Sequence, residues 1–330
     1  MADVLLLSEA DLRACIALDL PSVEAIEQAF YLLATAAVAM PPILRLDIPE
    51  HRGEVDVKTA HLPGLERFAI KVSPGFFDNP KLGLPSLNGM MMLLSSRTGL
   101  LDALLLDNGY LTAIRTAAAG AVAARWLSRE NSHRVALIGA GEQAALQLQA
   151  LRLVRPVDEV RIWARDIGKA EALAAQLQYA SELNIRVCAS VDEAMTGADI
   201  AVTCTPSRDP LIADHHLSPG LHITAMGSDA EHKNEIAASA LAKVDRYVAD
   251  RLSQTRVLGE LHHALTAGVL RDESALTELG QIVAGQRPGR SDDHQITLCD
   301  LTGTGAQDTA IANLAFARAR AAGRGLHFGG

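Results

Sequence analysis

The sequence predicts an α/β chain: a Rossmann-type doubly wound parallel sheet domain joined to an α+β domain with a mainly antiparallel sheet. Three observations carry this. From about residue 130, short apolar strands alternate with helices of ten or more residues, the pattern of βαβ units covered on both faces. A glycine-rich stretch, Gly139-Ala140-Gly141-Glu142-Gln143-Ala144, separates the first of these strands from its helix. Before residue 130 the apolar residues recur at every second position, as in a half-buried sheet. The domain break is therefore expected at 128/129.

Two helical segments open the chain. Ser8 and Asp11 form a capping-box-like start, Pro21 suits a first helical turn, and Val23, Ile26, Phe30 and Leu33 recur at helical spacing. Strands follow over 43–48, 54–59 and 67–73. In them Leu44, Leu46, Ile48, Val55, Val57, Phe68, Ile70 and Val72 are expected on a core face. Their polar neighbours, including Arg45, Lys58 and Lys71, then project from the opposite face. Three cations there are either a solvated surface or one side of a site. Strands over 88–95 and 101–106 flank the turn Arg97-Thr98-Gly99, and an Ala-rich helix runs from Leu111 to Leu127. Strands over 134–138, 159–163, 185–189, 200–204, 222–225 and 246–249 come next, with helices through Leu153 and over 169–183 and a capping box at Ser190 and Glu193. A helix over 307–322 closes the chain.

Composition narrows the function. Among 330 residues, 49% are hydrophobic and 21% charged, so a disordered or fibrous chain is excluded. The 30 Lys and Arg against 39 Asp and Glu give a net charge of −9, which argues against nucleic acid or an anionic membrane as partner. Cys15, Cys188, Cys204 and Cys299 form no C-x-x-C pair and read as buried thiols of a cytoplasmic protein. The start Met-Ala-Asp-Val has no signal-peptide pattern, and no apolar run reaches the ~18 residues of a membrane span. The pairs His215-His216 and His262-His263 lack metal-ligand spacing, and no metal is expected.

The glycine stretch is a G-x-G-x-x-A fingerprint in its proper place, after a strand and before a helix. Gly139 permits the tight turn, Gly141 lets backbone approach a pyrophosphate, and Ala144 lets the helix pack on the strand. The anion then sits on a helix N-terminus, so NAD or NADP is expected, with Gln143 and the strand-end residues Thr205, Met226 and Gly227 counted among its contacts. About 20 residues past the glycines, where an acid marks NAD, stand Arg165 and Asp166. Arg165 either contacts a 2′-phosphate or points to solvent, and Asp166 is placed to reach a ribose; the choice of cofactor stays open.

Several stretches together resemble the ornithine cyclodeaminase/mu-crystallin family over nearly the whole chain. They are Phe68-Ala69-Ile70-Lys71, the run from Asp107 to Ala119 with Arg115-Thr116-Ala117-Ala118 at its centre, the loop Ile138-Gly139-Ala140-Gly141, and Gly227-Ser228-Asp229. Met40 to Arg45 and Val72 to Pro80 look like the ectoine-utilisation cyclodeaminase branch. The resemblance implies a homodimer in which residues 1–128, completed by the helix at 307–330, bind substrate and dimerise, while 129–306 bind the dinucleotide. It also implies that Arg45 and Arg115 hold a substrate carboxylate, that Lys71 faces the reacting nitrogen, that Asp229 is an acid/base, and that Thr116 helps bind the pyrophosphate.

The residue types suit that chemistry. A guanidinium binds a carboxylate bidentately, and a lysine among cations has a lowered pKa, which makes Lys71 a proton shuttle near neutrality. Asp229 follows a strand end where doubly wound sheets place ligands; otherwise it is the N-cap of a helix starting near His232. The expected activity is reduction of the C=N bond of a small imino acid, or a cyclodeamination with no net redox change. Lys58 on the same face as Arg45 and Lys71 tilts the reading toward a dicarboxylate such as iminosuccinate. The alternative is a non-catalytic, NAD(P)H-dependent binding protein of the mu-crystallin type; retention of Asp229 favours an enzyme.

Overall fold

The computed structural model describes residues 3–180, 182–270 and 275–329. The chain divides into two compact units, Met1–Thr116 with Thr304–Gly330, and Ala117–Gly303.

In the first unit, Ser8 and Asp11 bond each other's amides reciprocally, which turns β1 (Val4–Ser8) directly into α1 (Glu9–Cys15). Asp19 caps α2 (Leu20–Thr35), which buries Val23, Ile26, Phe30 and Leu33 as the helical spacing predicts. Then come β2 (Leu44–Ile48), β3 (Gly53–Ala60), β4 (Arg67–Phe76), β5 (Met90–Ser95) and β6 (Leu101–Leu106). The buried Asp107 carboxylate accepts the Leu111 amide and so starts α3 (Tyr110–Leu127).

The second unit supplies β7 (Arg134–Ile138), α4 (Glu142–Arg152), β8 (Glu159–Trp163), α5 (Ile167–Ala180), β9 (Asn184–Val187), α6 (Val191–Met195), β10 (Ile200–Thr203) and β11 (His222–Ala225). It ends with α7 (Ala238–Leu241), β12 (Arg246–Ala249), α8 (Leu252–Thr255), α9 (Glu260–Thr266), β13 (Thr277–Glu278), α10 (Leu279–Val283) and β14 (Thr297–Asp300). The helix expected over 169–183 includes residue 181, which lies outside the described residues. The chain then returns to the first unit with α11 (Gly305–Ala321) and β15 (Leu326–Phe328).

Among the described residues the second unit holds one sheet in the order β13-β12-β14-β11-β10-β7-β8-β9, with every neighbouring pair parallel. Val135 and Leu137 enter one apolar cluster while Ala136 and Ile138 enter another, so helices cover both faces. This is the expected doubly wound sheet. Its edge falls inside α3, after residue 116 rather than 128, because Ala124 in the second half of that helix packs with Val135 and Leu148. The return falls at 303/304 rather than 306/307.

The first unit's sheet runs β15-β1-β6-β5-β4-β3-β2, antiparallel except for β1 against β6. Here one expectation is overturned. The buried face is the one carrying Ala60, Ala69, Lys58 and Lys71, with Met91, Leu105 and Leu7 in the same register row. α11 packs on β3 and β4 at this face. A Cβ on Gly305 would lie 2.4 Å from the Thr59 carbonyl oxygen, so the helix approaches closely only because that residue is glycine. The apolar row expected in the core is instead half-buried or exposed, with Leu44 61% and Leu46 55% accessible. Alternation defines two faces, and a helix from the far end of the chain chose the one with small residues and lysines.

Candidate active site

Register sets the charged cluster of the first unit. Arg45 stands opposite Asp56, and Lys58 opposite Lys71, so Arg45, Asp56, Lys58 and Lys71 share one face, as the alternation predicts. α11 brings Asp308 to this face and α3 brings Arg115. Lys71 donates to Asp308 at 3.0 Å, and the Arg115 Nε lies 3.0 Å from the same carboxylate. Gln307 accepts from Arg115 at 3.4 Å. Lys58, Lys71 and Arg115 are all buried, and Asp308 is fully so.

Burial lowers the Lys71 amine most, Asp308 raises it, and Arg115 and Lys58 lower it further, so that it lies at about 7. Desolvation, more than the neighbouring cations, is the main cause. Burial alone would raise the Asp308 carboxyl, but Lys71, Arg115 and Lys58 hold it below the usual carboxylate range. A lysine this close to neutrality exchanges a proton readily in the physiological range.

Asp308 is the residue the sequence analysis missed. As an acid in the first turn of a helix it reads as a partner for the helix dipole, and only the fold brings it to a lysine 237 positions away. Arg45 departs from expectation in the other direction. It lies on the exposed edge strand and is paired with Asp47 at 3.0 Å, with Glu54, and with Asp56 at 3.6 Å. Its charge is already matched, whereas the expected role needs it open to a substrate acid. Thr116 follows Arg115 on α3 and is half-buried.

In the second unit the G-x-G-x-x-A loop fits a dinucleotide on three counts. Gly139 has φ +129°, and a Cβ there would lie 2.9 Å from the Cys204 carbonyl oxygen, so the turn is open to glycine alone. Gly141 precedes the first turn of α4, and a Cβ added to it meets nothing within 4 Å, so there is open space beside this helix end, as a pyrophosphate needs. Ala144 is buried in the cluster containing Val160 and Ile162, the close helix packing expected of it. Gln143 is half-buried one position before.

Arg165 and Asp166 follow the end of β8 and are exposed. The Asp166 carboxylate accepts the Gly168 amide at 3.1 Å and so caps α5, which competes with the expected contact to a ribose. Thr205, Met226 and Gly227 lie just past the ends of β10 and β11, where this sheet class places ligands. Asp229 is exposed and ion-paired with Lys233. No helix starts near His232 in this structure, which removes the N-cap alternative.

Among the described residues one side-chain group has metal-ligand spacing: Asp192, His215 and His216. His216 accepts the Ala213 amide on Nδ1 at 2.9 Å, so the neutral ring carries its proton on Nε2, toward Asp192. That nitrogen has no lone pair for an ion, and the group is read as a hydrogen-bonded surface cluster. No helix of the described residues is long and apolar enough to cross a membrane.

The sheet order and the glycine loop of the second unit define a doubly wound, dinucleotide-binding type of fold, and the first unit buries a lysine–aspartate–arginine cluster. The chain belongs to the ornithine cyclodeaminase/mu-crystallin family, which it matches over residues 3–323. It is 63% identical to a putative dehydrogenase of Rhizobium meliloti over 99% of both chains. Among solved structures, an archaeal alanine dehydrogenase dimer with bound NAD superposes with a TM-score of 0.93 at 32% identity, covering 99% of each chain. The Thermococcus litoralis Δ1-pyrroline-2-carboxylate reductase, in complex with NADH and L-proline, gives 0.91 at 29% identity over 98% of this chain and 99% of that one.

Proposed function

We propose that the protein is an NAD(P)-dependent oxidoreductase that reduces the C=N bond of a small α-imino acid. The carrying observation is Lys71: fully buried, near pKa 7, and sharing the Asp308 carboxylate with Arg115. Arg115, supported by Lys58, binds the substrate carboxylate. Lys71 gives its proton to the substrate nitrogen, and Asp308 keeps the lysine charged enough to have that proton at neutral pH. Asp229 assists as a second acid/base. A dinucleotide with its pyrophosphate held by Gly139, Gly141, Gln143, Ala144 and Thr116, its adenosine end by Arg165 and Asp166 and its nicotinamide end by Thr205, Met226 and Gly227 would supply the hydride for the imine carbon. One hydride and one proton convert the imine to the amine, so the balance closes without further reagents. The same residues serve the reductive half of a cyclodeamination.

Charge favours a substrate with one carboxylate. Arg45 is taken up by Asp47, Glu54 and Asp56, and Lys71 and Arg115 share Asp308, so two of the three cations that pointed to a dicarboxylate are matched within the protein. We further infer a homodimer joined through the apolar sheet face that α11 leaves uncovered, in line with the alanine dehydrogenase dimer.

The test is NAD(P)H consumption with Δ1-pyrroline-2-carboxylate and with iminosuccinate side by side. Faster turnover of the cyclic monocarboxylate is expected. Preference for iminosuccinate would restore the dicarboxylate reading, and cofactor binding without consumption on any imine would make the protein a binder.

A further inference from the structure

The ends of β10 and β11 are tied together by a buried acid that neither strand requires. Glu235 is fully buried and accepts the Thr205 amide at 2.6 Å, the Thr205 hydroxyl at 2.7 Å and the Gly227 amide at 2.8 Å. The fit leaves no slack, since a Cβ on Gly227 would lie 2.2 Å from the Thr205 carbonyl oxygen and 2.4 Å from the Glu235 carboxylate. Glu235 is itself held by a second acid. Glu260 accepts the amides of Glu235 and Ile236 at 3.0 and 3.1 Å and also the Ser228 hydroxyl. A third, Asp300, accepts the amides of Glu260 and Leu261 at 2.8 and 3.1 Å and the Tyr247 hydroxyl at 2.8 Å. Each carboxylate fixes the backbone of the next, and the series ends on Thr205 and Gly227.

Burying three carboxylates is unfavourable unless their oxygens are well used, so closing a loop is a weak reason for them. Their place in the sheet gives a better one. The order β11-β10-β7-β8 sets the phosphate loop, which follows β7, between β8 on one side and β10 and β11 on the other. In this sheet class the adenosine half runs toward the second strand, here β8, which leaves the nicotinamide half over the ends of β10 and β11.

We propose that Glu235, backed by Glu260 and Asp300, is a positioning residue for the nicotinamide half of the cofactor. It holds the Thr205 and Gly227 peptides at a fixed spacing before the ligand arrives, so that binding does not have to order them. The inference rests on the dinucleotide reading of the glycine loop.

Calorimetry with NADH and with ADP-ribose, which keeps the adenosine and pyrophosphate but lacks nicotinamide, separates this role from general support of the fold. Glu235→Gln puts an amide donor where the carboxylate receives donors. It is expected to weaken NADH about tenfold or more, the scale of one buried charge-assisted bond, and to leave ADP-ribose affinity in place. If that variant does not fold, Ser228→Ala, which removes only the hydroxyl tie to Glu260, is expected to show the same selective loss at smaller size. Equal loss for both ligands, or none for either, would overturn the positioning role. A parent protein that binds neither ligand would refute the dinucleotide reading itself.

Discussion

Asp308 governs the chemistry assigned to Lys71, although it touches no substrate. Its negative charge opposes the burial that drives the lysine toward neutrality, so removing it has a defined sign. Asp308→Asn leaves Lys71 and Arg115 buried without their shared counter-ion, and the lysine then titrates below about 7. The alkaline fall in imine reduction is expected to move to lower pH, and the variant to lose ~3–5 kcal/mol of stability, as for other broken buried pairs. A pH–rate profile and denaturant unfolding check both; an unmoved alkaline limb would show that Lys71 does not set it. Lys71 itself was legible in the sequence as one of three cations on a common face. Its partner was not, because nothing local distinguishes Asp308 from any acid in the first turn of a helix. Arg45 was legible as a position but not as an occupied charge: Glu54 and Asp56 lie on the neighbouring strand, and only register pairs them with it.

At the scale of elements, the glycine loop was the most readable part of the chain, since Gly139 and Ala144 answer steric demands that the structure shows and Gly141 borders open space. Gly141→Val is expected to abolish NADH binding while leaving the fold intact, because the added side chain enters open space that the pyrophosphate needs rather than a packed neighbour. Calorimetry on the folded variant measures this, and unchanged affinity would mean that the loop binds something else. The strands were also readable, but which of their faces lies inside was not. A period of two separates the faces without ranking them. The deciding element is α11, encoded more than 200 residues after β3 and β4, whose Gly305 lets it settle on the alanine-and-lysine side. The unit boundary was misplaced for a related reason, because α3 is one unbroken helix whose second half packs with the parallel sheet.

For the whole molecule, the reversed sheet face has a consequence for assembly. Leu44, Leu46, Leu326 and Phe328, each more than half accessible, share one sheet with the half-buried Val55, Val57, Ile70 and Val72. Under the proposed homodimer this apolar surface is the interface. Light scattering is expected to give a dimer for the parent and a monomer for Leu44→Lys with Leu46→Lys; a monomeric parent would assign that face to something other than self-association.

The central claim, proton transfer by Lys71 during imine reduction, is tested most directly by single-turnover NAD(P)H oxidation with Δ1-pyrroline-2-carboxylate in the parent and in Lys71→Met. The substitution keeps the length of the side chain and removes the ammonium. The expected result is a rate ~10²–10⁴ lower with cofactor affinity unchanged, and loss of the alkaline limb expected near pH 7 in the parent. Parent-like turnover in a folded Lys71→Met protein would contradict it.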